Sequence, residues 1–197
     1  MKKLVWVLAL LSALPIAALV VTPAWARDFT SQVSESGEIP KLRPEFKTPD
    51  EPGQLFYVQR SPNSNTVIYA AKLDAKGNLD SSTPVEAFWR KFNIDGSKQP
   101  LNFIERMTAY GVKLDRTKAG QPVTFAIAAL PERKMTVSLD SEHKPQALMQ
   151  IGSHKVKVAY VYLHVVEGGL MPSVPDLDIF GTDIASGKAI HEHLIQK

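Results

Sequence analysis

The feature that most restricts the fold is the shortness of the links between β-forming segments. Residues 54–60 and 66–73 are rich in β-branched and aromatic side chains, and only Ser61-Pro-Asn-Ser-Asn65 separates them. Residues 133–140 alternate cleanly, with Met135, Val137 and Leu139 on one side and Lys134, Thr136, Ser138 and Asp140 on the other. The turn Ser141-Glu-His-Lys-Pro145 leads to a strand over 146–151. Residues 155–167 read as a long strand, apolar on both faces in its second half and therefore covered on both. Residues 176–184 and 188–194 flank Ala185-Ser-Gly187 as a last hairpin. A parallel crossover needs about a dozen linking residues, and these links are far shorter. The pattern predicts a mainly β chain: an antiparallel curved sheet, a sandwich or a partly open barrel, with one or two short helices.

The clearest helix spans 101–110. Asn102 and Glu105 form an N-cap with a capping box, and Phe103, Ile104, Met107 and Tyr110 share a face expected to pack on the sheet. Gly111 stands where a left-handed cap residue belongs. Residues 84–92 fit two patterns. Val85, Phe88, Trp89 and Phe92 make a helical stripe behind a possible cap at Thr83, whereas Val85, Ala87 and Trp89 make a shorter strand-like alternation. The residues themselves lean to the helix.

Ahead of this domain, Lys2-Lys3 precede an apolar run from position 4 to 21, and Ala24-Trp25-Ala26 makes a small-x-small cleavage box. Residues 1–26 are therefore expected to be a removable export signal, with the mature chain starting at Arg27. No second apolar run follows, so no membrane span is expected after cleavage. Residues 27–53 hold Pro40, Pro44, Pro49 and Pro52 with few large apolar side chains, the composition of a flexible Pro-rich tether. Residues 54–197 make a single domain.

Charge and composition exclude several classes. Lys and Arg number 23 and Asp and Glu 20, and two of the lysines sit in the signal, so the mature chain carries 21 − 20 = +1. No basic stripe marks a nucleic-acid binder. The absence of cysteine excludes disulfides, thiolate metal sites and Cys nucleophiles. Ser141-Glu-His-Lys144 matches S-x-x-K but lies in a turn and lacks the companion motifs of penicillin-recognising enzymes.

Leu55-Phe-Tyr-Val-Gln-Arg-Ser-Pro-Asn-Ser-Asn-Thr-Val-Ile-Tyr69, Pro84-Val with Phe88-Trp89, Leu101-Asn-Phe-Ile-Glu-Arg106 and Ala109-Tyr-Gly-Val112 together resemble a bacterial exported family catalogued as domain of unknown function 4833. The resemblance runs over residues 54–193. It implies a strand rather than a helix at 85–91. It transfers no catalytic residue, because the family has no established activity.

Two constellations stand out. His191 and His193 point the same way on a strand and could share an ion, but two ligands leave a shell incomplete. His164, Glu167, Asp176 and Asp178 could complete it, although their spacing does not select among them. No metal and no cofactor are expected. Arg60, Trp89, Arg106, Tyr110 and His164 each lie on or beside an otherwise apolar element. If they converge, they make an aromatic wall with a cationic floor, suited to an anionic or planar ligand. The competing reading has both arginines reach solvent or brace the turn after Arg60 through Asn63 and Asn65. The sequence thus predicts an exported soluble protein, periplasmic or extracellular. It is expected to bind a small molecule or an envelope protein, with no nucleic acid and no catalysis. The alternative is a hydrolase whose His/carboxylate site is hidden from sequence spacing.

Overall fold

The computed structural model describes residues 28–115, 122–168 and 172–197. The export signal expected over 1–26 lies outside them. Among the described residues no helix is long and apolar enough to cross a membrane. The elements in chain order are β1 (Phe29–Ser36), β2 (Gln54–Arg60), β3 (Thr66–Ala71), β4 (Val85–Arg90), β5 (Lys98–Pro100), α1 (Phe103–Thr108) and β6 (Val112–Asp115). They continue with β7 (Val123–Ile127), β8 (Leu130–Leu139), β9 (Pro145–Ile151), β10 (His154–Val166), β11 (Ser173–Asp183) and β12 (Ala189–Gln196).

All of these strands join one strongly curled mixed sheet that forms a half-barrel, with α1 as its short helix. The long strand β10 is its spine. His154–Lys157 pair with β9, residues 160–163 pair with β2, and the other edge carries β11 and then β12. Neighbours in sequence pair antiparallel, as short links require. The β2–β10 pair is parallel, and seven strands separate the two along the chain, so no turn constrains its direction. The segment at Val85–Arg90 is a strand, against the helical stripe read from its residues and in line with the family resemblance. Its alternation wins because β3 and β5 flank it and Trp89 is buried in the core.

A β-bulge in β10 between Val158 and Tyr160 decides what each face carries. Before it, Val156 and Val158 face the concave core with Phe56, Val58, Phe125 and Met135. The extra residue reverses the alternation. Val161 and Leu163 then face the core, and Tyr160 and Tyr162 turn to the outer face with Tyr57, Ile68, Phe88 and Phe180. Gly181 lets β11 follow this kink. A Cβ there would stand 2.4 Å from both the Lys157 carbonyl oxygen and Val156 Cγ1.

Residues 27–53 are corrected from a tether to a structured strap over their described part. Phe29–Ser36 pair in full register with β12 as an edge strand. Beyond it, the Tyr160 hydroxyl donates to the Pro40 carbonyl at 2.5 Å and Gln59 Nε2 donates to the Lys47 carbonyl at 3.1 Å. Arg90 donates twice to the Glu51 carboxylate, at 2.7 and 2.6 Å, and Phe46 is buried. Composition misleads here because the β12 edge satisfies the backbone, so little apolar surface is needed to order the segment.

The helix keeps its capping box: Asn102 accepts from the Glu105 amide and Glu105 from the Asn102 amide, at 2.9 and 2.8 Å. It is shorter than expected, and its apolar face does not pack. Phe103, Ile104 and Met107 are 69%, 64% and 51% exposed. Gly111 is not left-handed. It is required instead for close approach, because a Cβ there would lie 1.8 Å from the Arg106 carbonyl oxygen.

Candidate metal centre

On the outer face, pairing register builds a site from residues far apart in sequence. β11 presents Asp176, Asp178 and Phe180 to this face, and β12 presents His191 and His193. Tyr57, Tyr160, Phe180 and His191 are successive register partners across β2, β10, β11 and β12. Their rings stack in a row, at centroid separations of 5.3, 4.6 and 4.5 Å. The next row is Tyr162, Asp178 and His193, and the one after it begins with His164 and Asp176.

Asp178 is the centre of the cluster. His191 Nε2 and His193 Nδ1 lie 2.7 and 2.8 Å from its Oδ1, and His164 Nε2 lies 2.6 Å from its Oδ2. Asp176 Oδ1 is 3.5 Å from the same His164 nitrogen. Burial pushes the Asp178 carboxyl up, but hydrogen bonds from His191, His164 and His193 outweigh it and hold the group below its ordinary value. The carboxylate is therefore ionised and accepts only, so each of the three facing ring nitrogens donates an N–H in the ion-free form.

The cluster is open to solvent above a closed floor. The Asp178 side chain is 6% exposed, whereas those of His164, His191 and His193 are 40%, 32% and 30% exposed. The rings are held on their far sides. His191 stacks on Phe180, and Tyr162 meets His164 edge-on at 4.9 Å. Ser34 Oγ lies 3.5 Å from His191 Nδ1, so the strap contributes to the rim.

One donor atom each from Asp178, His191 and His193 lies within 4.8 Å of the others. Donors bound tetrahedrally at about 2.0–2.1 Å stand about 3.3 Å apart. The observed 2.7 and 2.8 Å contacts would open by roughly half an ångström around an ion held with those bond lengths. Imidazole nitrogen with carboxylate oxygen suits zinc and other late first-row divalent cations rather than calcium or magnesium. Asp178 and Asp176 would neutralise such a charge. Of the residues named as able to complete the two-histidine pair, Asp178 is the one whose carboxylate lies within reach of both imidazoles, and His164 bonds its second oxygen. The missing signal was register, since alternation alone cannot say which residue of β10 or β11 lies beside His191.

The sequence-read pocket divides between the two faces. Arg60, Trp89 and Tyr110 converge on the concave side. The Arg60 guanidinium is 5.4 Å from the Trp89 ring centroid, and Trp89 meets Tyr110 edge-on at 5.2 Å. Burial raises the Tyr110 phenol, and Arg60 beside it partly offsets that rise. Arg106 is exposed on α1 and takes no part, and His164 belongs to the outer cluster.

A family model, described as "Domain of unknown function (DUF4833)", matches residues 56–193. The chain belongs to the DUF4833 family. No curated protein and no solved structure matches it. The DUF4833 span takes in His164, Asp176, Asp178, His191 and His193, and it leaves out β1 with Ser34. The core of the candidate centre is thus part of the family domain, and part of its rim is added from outside.

Proposed function

We propose that this DUF4833 protein is an exported metal-binding domain of the cell envelope, periplasmic or extracellular. It would hold a zinc-like divalent cation on Asp178, His191 and His193. The observation that carries this reading is the convergence of three half-exposed imidazoles on one buried carboxylate. A purely structural carboxylate needs one cation or a few amides, not three exchangeable nitrogen donors. His164 acts through the second carboxylate oxygen, as outer partners of metal ligands do. With three protein ligands, coordination positions face solvent, where a small molecule or a partner's side chain can complete the shell.

The test uses the mature chain without an affinity tag. Isothermal titration with zinc should show one site per chain, lost in His191→Ala/His193→Ala while the circular dichroism spectrum is unchanged. Stoichiometric binding that survives the double substitution would place the ion elsewhere.

A second reading keeps the hydrolase alternative. Ser34, His191 and Asp178 form a line of hydroxyl, imidazole and carboxylate. The metal reading is preferred because such a line uses one histidine and leaves two unexplained. Ester hydrolysis abolished by Ser34→Ala at full zinc occupancy would favour the second.

A further inference from the structure

The concave side of the half-barrel holds a cavity of about 360 Å³, away from the metal centre. Val58, Ile127, Leu130, Val161, Leu163 and Leu177 make most of its wall, and Phe29 of β1 closes one side. The volume lies within the range of about 300–1,000 Å³ seen for ligand pockets. Thr108, Tyr110, Ser173 and Gln196 are the polar residues of its lining. Tyr110 lines the cavity, and Arg60 lies beside its hydroxyl. Arg60 is also the register partner of Leu163 and lies two residues beyond Val58, both of them wall residues. Its Nε is buried and makes no hydrogen bond among the described residues. A buried donor left unpaired beside an apolar cavity is complete only when something else supplies an acceptor.

We infer that this cavity binds a single-chain amphiphile, with a hydrocarbon tail along the apolar wall and an anionic head on Arg60 and Tyr110. The chemistry at each end sets the class. A guanidinium pairs in two-pronged fashion with carboxylate or phosphate, and the other polar lining residues, Thr108, Ser173 and Gln196, are uncharged. Size sets the tail. The cavity equals about twelve water volumes of about 30 Å³ each, and a methylene takes nearly as much room. A tail of about ten to twelve carbons fits. The exposed Phe103, Ile104 and Met107 of α1 directly precede Thr108 and Ala109 of the cavity lining. The inference is independent of the metal reading and survives its failure.

The experiment is titration calorimetry on the mature chain after delipidation on a hydrophobic resin. Octanoate, laurate, palmitate, dodecanol and lauroyl lysophosphatidic acid are compared. Laurate should bind one per chain, at least tenfold tighter than octanoate, and palmitate should gain no more than about twofold over laurate. Dodecanol should bind at least tenfold more weakly than laurate. Arg60→Gln, at a partly exposed position, should remove that difference and leave dodecanol unchanged. A free fatty acid is the ligand if laurate binds tighter than the lysophospholipid, and a membrane-derived lipid if the order is reversed. No saturable laurate binding by the folded wild type would overturn the inference. So would equal laurate affinity in Arg60→Gln, or affinity that climbs steadily with chain length.

Discussion

Two carboxylates on neighbouring strands are nearly lost to solvent, Asp178 at 5% exposure and Glu192 at 1%, and they have opposite company. Glu192 faces the concave side. Its Oε1 accepts from Arg133 and from Ser31, both at 2.5 Å, while its Oε2 has no hydrogen-bond partner among the described residues. Asp178 faces outward and accepts from three imidazoles. Arginine never gives up its proton and has no lone pair to offer, so the Glu192 pair can only be kept or broken. An imidazole can release its N–H and present that nitrogen to an ion. Burial of a carboxylate therefore does not mark a binding site; the exchangeability of its partners does. The Arg133 bridge joins β8 to β12 across the half-barrel and supports the shape, whereas the Asp178 cluster would be free to take a ligand under the metal reading.

The largest effect should come from breaking the fixed pair. Arg133→Met leaves an uncompensated carboxylate and should cost about 3 kcal/mol, the lower end for a buried pair because Arg133 itself is partly exposed. Urea denaturation measures this, and zinc affinity should stay within about twofold. Adding Glu192→Gln should recover part of the loss by removing the stranded charge.

Asp178→Asn should reverse the pattern. Zinc affinity should fall at least about 100-fold, or about 2.7 kcal/mol, while stability changes less. Its pH dependence has a definite sign. Asp178 titrates below its unfolded value of about 3.9. Its contribution is therefore present above that value and lost as pH falls through the lower folded one. The stability gap between wild type and Asp178→Asn, read from urea midpoints at pH 7 and pH 3, should narrow at the acid end. A gap that widens would mean the carboxyl is held protonated.

Much of the architecture was legible in the residues, because alternation and turn chemistry are local. The hairpins, the capping box and the mainly antiparallel sheet follow from them. What escaped depended on pairing. The reversal of β10 at Ala159 is set by β11 and by the room at Gly181, so which residues share a face with His164 was not readable. The strap is hidden from composition, which measures what a segment can bury, not what an open edge can pair. Gly111 fits a left-handed cap by its place in the sequence, although it serves close packing against the Arg106 carbonyl. His191 and His193 stand out in the sequence, but the carboxylate they share lies on another strand, placed there by register alone.

His164→Ala sharpens the comparison from the other side. It leaves the three donors nearest one another in place and removes only the ring that holds Asp178 Oδ2. Outer partners of this kind are typically worth 10- to 100-fold in affinity. The side chain is 40% exposed, so the lower figure, about tenfold, is expected by zinc titration. A loss as large as that of His193→Ala would make His164 a direct ligand.

The smallest effects separate the two sites most cleanly, because β1 lends a hydroxyl to each. Ser31 Oγ donates to Glu192 at 2.5 Å on the concave side, and Ser34 Oγ stands 3.5 Å from His191 Nδ1 on the outer side. The Ser31 bond is short, partly buried and made to an ionised group, so Ser31→Ala should cost about 1 kcal/mol of stability and leave zinc binding alone. The Ser34 contact is long and exposed, which makes it weak in the ion-free chain. With a cation on Nε2, the His191 proton would sit on Nδ1, and Ser34 would accept it and fix the ring. Ser34→Ala should therefore leave the urea midpoint unchanged and weaken zinc about two- to threefold, a fraction of the usual outer-partner effect. Equal shifts of stability in both variants, with zinc affinity untouched in both, would mean that β1 only staples the sheet edge and that the outer cluster needs nothing from it.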